Sequence, residues 1–498
     1  MTITSTSNLI DSLRNSVAFS DNQSISEDLS MEKIKDNTIV NGIGGQVEIQ
    51  ELSLIVKGGQ RINLLEVYAG IVVEENLFST GIAGAVSVID SVGGLEKFML
   101  RGGESLIVKI SKPNNGGILI WREDLVVIKI GAGNYESRVG STTYNLHFAS
   151  RSFIRSQKKN LFRSYKNQPI ANAVVDLYKL MSVNDLFIED PKLTLQKPFI
   201  CTGISPNRAI DRLAQRACSK DKFFVFFERF VPIYGTYPDN QPFSTSHYFG
   251  SVEKLIEDSI SNPIKTIVYT QKLEANKEPN FIRGINLKRR ANFNHIPAMQ
   301  YGLYNTTIST IDPITRTVSN EKLSYTDIGK STKDFYENKL IDDTNIFANY
   351  DDLNYETPGR KVILSSINES VPRENWIKNN IFGQLTKTYF QIYVDIEGGT
   401  NQIAVGHVVN FILPSLAEKS LNPNRNYGTF DLMYSGKYLV TGVNHAIKAG
   451  KYIKSLQLSR SSSPVDMNLN SIDYRNLDEF SLTEQEIFEI FGNRRTPL

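Results

Sequence analysis

The stretch from Arg61 to Ile110 most constrains what this chain can fold into. It runs RINLLEVYAG IVVEENLFST GIAGAVSVID SVGGLEKFML RGGESLIVKI. Ile62, Leu64, Val67, Ile71 and Val73 form one apolar run, and Ile82, Ala85, Val88 and Ile89 form a second. Gly93-Gly94 and Gly102-Gly103 punctuate, and Leu106-Ile107-Val108-Lys109-Ile110 closes. Short β-branched runs between glycine turns predict antiparallel sheet, closed or nearly closed.

The same pattern returns late in the chain. A strand alternates from Leu385 to Ile396, and three further matches follow. Gly103-Glu-Ser-Leu-Ile-Val matches Gly406-His-Val-Val-Asn-Phe, each a glycine turn entering a strand. Leu125-Val126-Val127 matches Tyr438-Leu439-Val440. The strand from Tyr144 ending in Ser150-Arg151-Ser152 matches the strand from Ile453 ending in Ser459-Arg460-Ser461. The shared order predicts a duplicated barrel.

Between and around the two copies the character changes. Residues 1–46 are rich in Ser, Asn, Thr and Asp and are expected to form a flexible or partner-ordered arm, with a weak helix over 8–17. Residues 47–152 make the first barrel. Residues 153–262 make a small α+β domain. There Pro169 stands at a first helical position, with Ile170, Val174, Leu177 and Met181 at helical spacing. Ser205-Pro206 opens a second helix carrying Ile210, Leu213 and Ala217, and Phe223 to Phe227 is a buried strand. Residues 263–284 and 381–462 make the second barrel, interrupted by an irregular insertion over 285–380. Residues 463–498 form a tail with a short amphipathic helix. Overlapping capping boxes at Ser481–Glu484 and Thr483–Glu486 precede Ile487, Phe488, Ile490 and Phe491. With Phe480, these are expected to dock on a partner or back on the chain itself. The fold class is therefore α+β, mainly β.

Composition bounds the function. At 498 residues the chain exceeds one core. Its 55 basic and 53 acidic residues nearly cancel, unlike the excess of a dedicated nucleic-acid binder. Two cysteines, Cys201 and Cys218, exclude a disulfide scaffold. The N-terminus lacks the basic start and apolar run of a secretory signal, and no apolar stretch reaches the roughly 18 residues of a membrane helix. The expectation is a protein made in the cytosol, without membrane insertion.

Motifs of chemistry are incomplete. Gly131-Ala-Gly133 begins like a dinucleotide loop, but Glu136 replaces the third glycine and a strand follows, so it is a hairpin turn. Gly329-Lys330-Ser331-Thr332 lacks the first glycine of a phosphate loop, because Ser324 stands there. Asp342, Asp343, Asp351 and Asp352 lack calcium-loop spacing, and Cys201, Cys218 and His247 lack zinc-site spacing. Ser156-x-x-Lys159 and Ser219-x-x-Lys222 lack the companion motifs of penicillin-binding enzymes. No catalytic residue, cofactor or metal is assigned. Arg151, Arg155, Lys158, Lys159 and Arg163 run without an acidic residue, among Phe153, Phe162 and Tyr165. They form either a basic contact surface for DNA or an acidic partner, or a solvated interdomain linker.

The order of barrel, helix-helix-strand domain, interrupted barrel and tail resembles the central baseplate hub family of contractile-tailed, T-even-like phages and related injection systems. The resemblance covers about 47–462. It is carried best by Ser205-Pro-Asn-Arg-Ala-Ile-Asp-Arg-Leu-Ala-Gln-Arg-Ala-Cys-Ser-Lys-Asp-Lys-Phe-Phe-Val-Phe226, Gly406-His-Val-Val-Asn-Phe411 and Tyr438-Leu-Val-Thr-Gly-Val-Asn-His445. It implies a non-enzymatic structural protein: a homotrimer whose six barrels form a pseudo-sixfold ring. Such a ring would join a sixfold tail tube to a threefold central spike and start tube assembly. It further implies location in the virion baseplate, contacts with tail tube, spike, tape-measure and other baseplate or wedge proteins, and DNA passing through the lumen. No β-helical stretch follows residue 462, so the spike is expected to be a separate protein. Two rival readings are a virion-associated cell-wall hydrolase and a tail-tip receptor-binding module.

Overall fold

The computed structural model describes residues 45–91, 93–113, 118–131, 134–136, 140–181, 186–195, 198–217, 222–230, 246–260, 265–269, 281–291, 305–312, 315–324, 338–339, 360–365, 390–399, 403–413, 431 and 433–463. The expected helices over 8–17 and in the C-terminal tail lie outside them.

The first barrel begins with β1 (Gly45–Gln46), β2 (Glu48–Ile55), β3 (Arg61–Asn63), β4 (Tyr68–Asn76) and β5 (Ala83–Asp90). After helix α1 (Gly94–Lys97) come β6 (Ser105–Ser111), β7 (Ile118–Ile130), β8 (Asn134–Glu136) and β9 (Ser141–Ser150). Hydrogen bonding runs β4-β5-β9-β7-β6-β2-β3. A hydrogen-bonded turn over 64–67 links β3 to β4, so the chain itself leads from the last strand of this order back to the first. The interior is filled, not hollow. Leu52, Val73, Val86, Leu106, Ile110, Leu146 and Phe148 belong to one buried cluster. Alternation produces this, since every second residue of a strand faces inward.

The chain then forms α2 (Arg151–Gln157), β10 (Leu161–Tyr165), α3 (Ile170–Tyr178), β11 (Leu186–Ile188), β12 (Phe199–Ile204), α4 (Pro206–Ala217), β13 (Phe224–Glu228), β14 (His247–Ser251) and α5 (Val252–Ile260). Pro169 is the N-cap of α3 and not its first helical residue, with ψ 143° still extended. The buried side of α4 carries Ile210, Leu213 and Ala217, as the spacing predicts. All five residues of β13 are buried.

The second barrel follows: β15 (Lys265–Tyr269) and β16 (Phe281–Ala291), then β17 (Asn305–Asp312), β18 (Thr317–Ser324), β19 (Asn338–Lys339) and β20 (Arg360–Ser365) within the insertion. It resumes with β21 (Phe390–Glu397), β22 (Val408–Ile412), β23 (Gly436–Lys448), β24 (Lys451–Ser459) and β25 (Ser462–Ser463). The ring β15-β16-β21-β24-β23-β22 closes completely. Its interior is a separate apolar cluster around Ile267, Val394, Val409, Phe411, Leu456 and Leu458. The stretch expected to be irregular contains a three-stranded sheet, β18-β17-β20. β16 also runs past the expected boundary at 284 to Ala291.

The duplication is visible in hydrogen bonds. Gly103 N–H donates to Val127 O and Val127 N–H to Glu104 O, at 2.7 and 2.8 Å. Gly406 N–H donates to Val440 O and Val440 N–H to His407 O, both at 2.9 Å. Both glycines sit at positive φ, 96° and 88°, where other residues are strained. A bulge then follows each valine, between Val127 and Lys129 and between Val440 and Gly442. The last matched strand needs a correction. Val127 lies opposite Phe148 and Val440 opposite Leu458, so Ala149 corresponds to Ser459 and Ser150 to Arg460. The Ser-Arg-Ser match was therefore one residue out of register. Aligning the triplets puts the half-buried Gln457 against the buried Phe148, on opposite faces of the sheet.

Candidate functional site

The two barrels are joined by backbone. β23 is 13 residues long. Its start pairs with β22 inside the second barrel, from Val408 opposite Leu439 to Phe411 opposite Gly436. Beyond the bulge, Gly442 to Ile447 pair antiparallel with Asn76 to Ile71 of β4 in the first barrel. One strand thus belongs to both barrels, and the sheet is continuous through the seam.

The seam buries charge. Glu75 on β4 is 1% exposed and His445 on β23 is 0% exposed. His445 Nε2 stands 3.1 Å from Glu75 Oε1, and the other oxygen accepts from Phe230 N–H at 2.6 Å. Tyr452 and the ring's Nδ1 lie 2.6 Å apart, so the tautomer serving both contacts has Tyr452 donating and the proton on Nε2. Burial holds His445 below its ordinary value, since the charged ring loses hydration there. Burial likewise pulls the nearby Lys454 down to about 8, against the attraction of Glu75. Its ammonium donates to Ile403 O at 2.9 Å.

A second polar cluster ties the first barrel to the α+β domain. Arg122 donates to Glu228 Oε1 at 2.9 Å, to Asp124, and to Arg229 O at 2.9 Å. Ser150 Oγ donates to Glu228 Oε2 at 2.6 Å, and Ser152 Oγ to the same oxygen at 3.2 Å. His247 Nε2 lies 3.2 Å from Ser152 Oγ, and Tyr178 OH lies 3.0 Å from Nδ1. Burial pushes Glu228 up, but His247, Arg122 and Ser150 outweigh it and bring the carboxyl to about 2.

Ser152, His247 and Glu228 are the residue types of a hydrolytic triad, but the arrangement differs. A triad's acid holds the ring nitrogen remote from the serine. Here Glu228 lies 3.6 Å from Nε2, the nitrogen that faces Ser152, and Tyr178 takes the other side. All three residues are buried, so substrate has no approach to Ser152. The cluster is an electrostatic rivet between domains.

The basic stretch is spread over three local structures. Arg151 and Arg155 lie on α2, Lys158 is its C-cap, and Arg163 lies on β10. Arg151 donates to Ser105 Oγ at 3.1 Å, Lys159 to Leu180 O at 2.8 Å, and Arg163 to Asp176 at 2.9 Å. These bonds draw three of the five cations toward their own chain, while Arg155 and Lys158 face solvent. Phe480, Ile487, Phe488, Ile490 and Phe491 lie outside the described residues, as do Gly329–Thr332, the four aspartates and Cys218. Cys201 is buried, and no group of three metal-ligating side chains occurs among the described residues.

The seam residues escaped the sequence reading although a cue existed. Ile71, Val73, Glu75 and Leu77 share one face of an alternating strand, as do Val443, His445 and Ile447. A carboxylate and an imidazole on apolar faces announce buried partners.

No protein-family model matches the chain, and no curated protein matches it in sequence. Among solved structures, it is similar to the tail protein from Neisseria meningitidis MC58, with a TM-score of 0.47 and 11% identity, over 82% of this chain and 96% of that one. It is similar to the 43 kDa tail protein of prophage MuSo2 from Shewanella oneidensis, with a TM-score of 0.48 and 10% identity, over 82% and 98% of the two chains. It is also similar to an E. coli component of the type VI secretion system, itself described as similar to T4 bacteriophage tail proteins gp27 and gp5. That match has a TM-score of 0.37 and 10% identity, over 84% and 77% of the two chains.

Proposed function

We propose that this chain is a structural baseplate hub of a contractile phage tail or a related injection machine. In this reading it is a homotrimer whose six barrels form a pseudo-sixfold ring. The ring joins a sixfold tail tube to a threefold spike and starts tube assembly. The observation that carries the reading is the pair of barrels with one strand order, fused edge to edge through β23 and β4. Duplication within one chain turns a threefold assembly into a sixfold platform. The barrels' interiors are packed with side chains, so any passage for DNA or tape-measure protein runs through the ring and not through a barrel.

Neighbours in the particle would be the tube, spike, tape-measure and other baseplate proteins, with the tail residues around Phe488 as one dock and the cations Arg155 and Lys158 as another. The hydrolase alternative has its best lead in Ser152 and His247, and their burial behind Glu228 counts against it. The test is native mass spectrometry with negative-stain microscopy of the purified chain. Trimers seen as six-lobed rings are expected. A strictly monomeric species at micromolar concentration, unchanged by spike or tube protein, overturns the reading.

A further inference from the structure

One face of the α+β domain is apolar at its centre and basic around it. β10 and β12 form a two-stranded sheet, with Phe162 opposite Thr202 and Ser164 opposite Ile200. Opposed residues share a face, so these four side chains stand together on one side. On the other side Tyr165, Phe199 and Cys201 enter the domain's core. Phe162 is 76% exposed and Ile200 is 63% exposed. As diagonal neighbours across the ladder they lie within side-chain reach of each other and form one apolar spot.

Cations rim that spot. α2, β10, β12 and α4 carry six basic residues, Arg151, Arg155, Arg163, Arg208, Arg212 and Arg216, against one acidic residue, Asp211. Lys158 before β10 and Lys166 after it are also exposed. Burial pushes the Cys201 thiol up, while Arg212, Arg216 and Arg163 pull against it. Three guanidinium groups therefore stand around the strand that bears Ile200. Arg216 also lies 4.8 Å over the ring of Phe199. Asp176 is engaged by Arg163 and Tyr165.

The chain itself carries a segment of matching chemistry. Over 476–493 the sequence has five acidic residues, Asp478, Glu479, Glu484, Glu486 and Glu489, and no basic one. Ile487, Phe488, Ile490 and Phe491 supply an apolar stripe at helical spacing. The 14 residues 464–477 tether this segment to Ser463. At about 3.4 Å per residue an extended tether reaches about 50 Å, several times the radius of gyration, about 13 Å, of a 100-residue domain. A tether of that kind holds the segment near its own chain at roughly millimolar effective concentration.

We propose that Asp478–Phe491 docks on the outer face of β10 and β12 in the same copy, with its apolar stripe on Phe162 and Ile200 and its carboxylates among the surrounding cations. A polyanion such as DNA matches the charge of this face but leaves Ile200 unused, whereas the acidic amphipathic segment matches both. A helix this short is marginal alone and gains stability by burying its stripe. The docking covers two surfaces that assembly partners would otherwise find open, so a partner for either one must displace the other.

Two measurements on the full chain test this. In Phe162→Cys with Phe488→Cys, mild oxidation should give an intrachain disulfide, seen as a faster monomer band on a non-reducing gel. Its yield should be about 10 times that of either single variant, which also controls for the natural cysteines. Adding Glu486→Lys and Glu489→Lys should lower the yield about 10-fold. Without introduced cysteines, chymotrypsin should cut after Phe488 about 10-fold faster in Phe162→Asp with Ile200→Asp than in wild type. A yield no greater than in the single variants, crosslinks only between chains, indifference to the charge reversal, or equal cleavage rates overturns the docking. Both readouts are made within one chain, so the hub reading, which is tested by oligomeric state, stands or falls separately.

Discussion

The two barrels share strand order, a glycine clamp and a bulge, yet their first strands run in opposite directions. β2 is antiparallel to both neighbours, β3 and β6. β15 is parallel to both of its neighbours, β16 and β22. The expectation of two antiparallel barrels is thus met by the first and modified in the second. β15 leaves α5 and reaches β16 through residues 270–280, a span that lets a chain cross back and pair in parallel. A closed sheet tolerates such a reversal because its order and register are held elsewhere, by the glycine clamp and the strands after it.

A second difference is how each barrel houses an arginine. Arg122 lies opposite Val108 as Gly436 lies opposite Phe411, so Arg122 corresponds to Gly436, and Ser150 to Arg460; the guanidinium therefore comes from opposite strands of the same pair. Arg122 meets carboxylates, Glu228 and Asp124. Arg460 donates to the carbonyls of Ser435 and Met433 and lies over the rings of Phe390 and Tyr438. The first arrangement depends on ionisation, and the second does not.

Breaking the charged site should have the largest effect. Glu228→Ala leaves Arg122 with Asp124 as its one carboxylate partner and strands the Ser150 and Ser152 hydroxyls, and should cost about 3 kcal/mol in chemical denaturation at pH 7. The sign with pH follows from the depressed carboxyl. Its stabilisation is complete above the ordinary value of 4.5 and is lost as pH falls toward about 2. The gap between wild type and Glu228→Gln should therefore narrow over that range. Arg460→Met should cost less, about 2 kcal/mol, because only carbonyl acceptors are stranded, and its cost should hold constant across the same acid range.

Glu253 offers the opposite sign. It starts α5 against the second barrel, and burial pushes its carboxyl up to about 7. Its contribution is present below 4.5 and lost as pH rises through 7. Glu253→Gln, which still accepts from Phe223 N–H, should raise stability by about 2 kcal/mol at pH 8 and by little at pH 4. The smallest effect separates the clamps. Both Gly103→Ala and Gly406→Ala meet left-handed backbone, about 1–2 kcal/mol each. A Cβ at Gly103 meets open space, whereas one at Gly406 comes within 3.2 Å of Arg229 and 3.3 Å of Leu255. Gly406→Ala should be the worse by about 1 kcal/mol, measured as the difference in urea midpoints multiplied by a common slope.

Much of this architecture is legible in particular residues. Alternation of Ile71, Val73 and Leu77, and of Val443 and Ile447, gives strands and their inward faces, because one face of a pleat must be apolar to be buried. Gly103 and Gly406 mark equivalent turns, since a positive φ there favours glycine. Pro206 begins its helix where the sequence places it. The Ser-Arg-Ser match misled because identity over three residues carries no register, whereas the spacing of Phe148 and Leu146 against Leu458 and Leu456 does. The sequence by itself thus determined the strands, their buried faces and the fact of duplication, all local or periodic properties. Tertiary structure alone decided the direction of β15, the pairing of β23 with β4, and the meeting of Glu75 with His445 and of Arg122 with Glu228. These join residues more than 100 positions apart. Whether such groups meet depends on which edges close, and hydrogen bonding between edges follows strand register rather than local side-chain pattern.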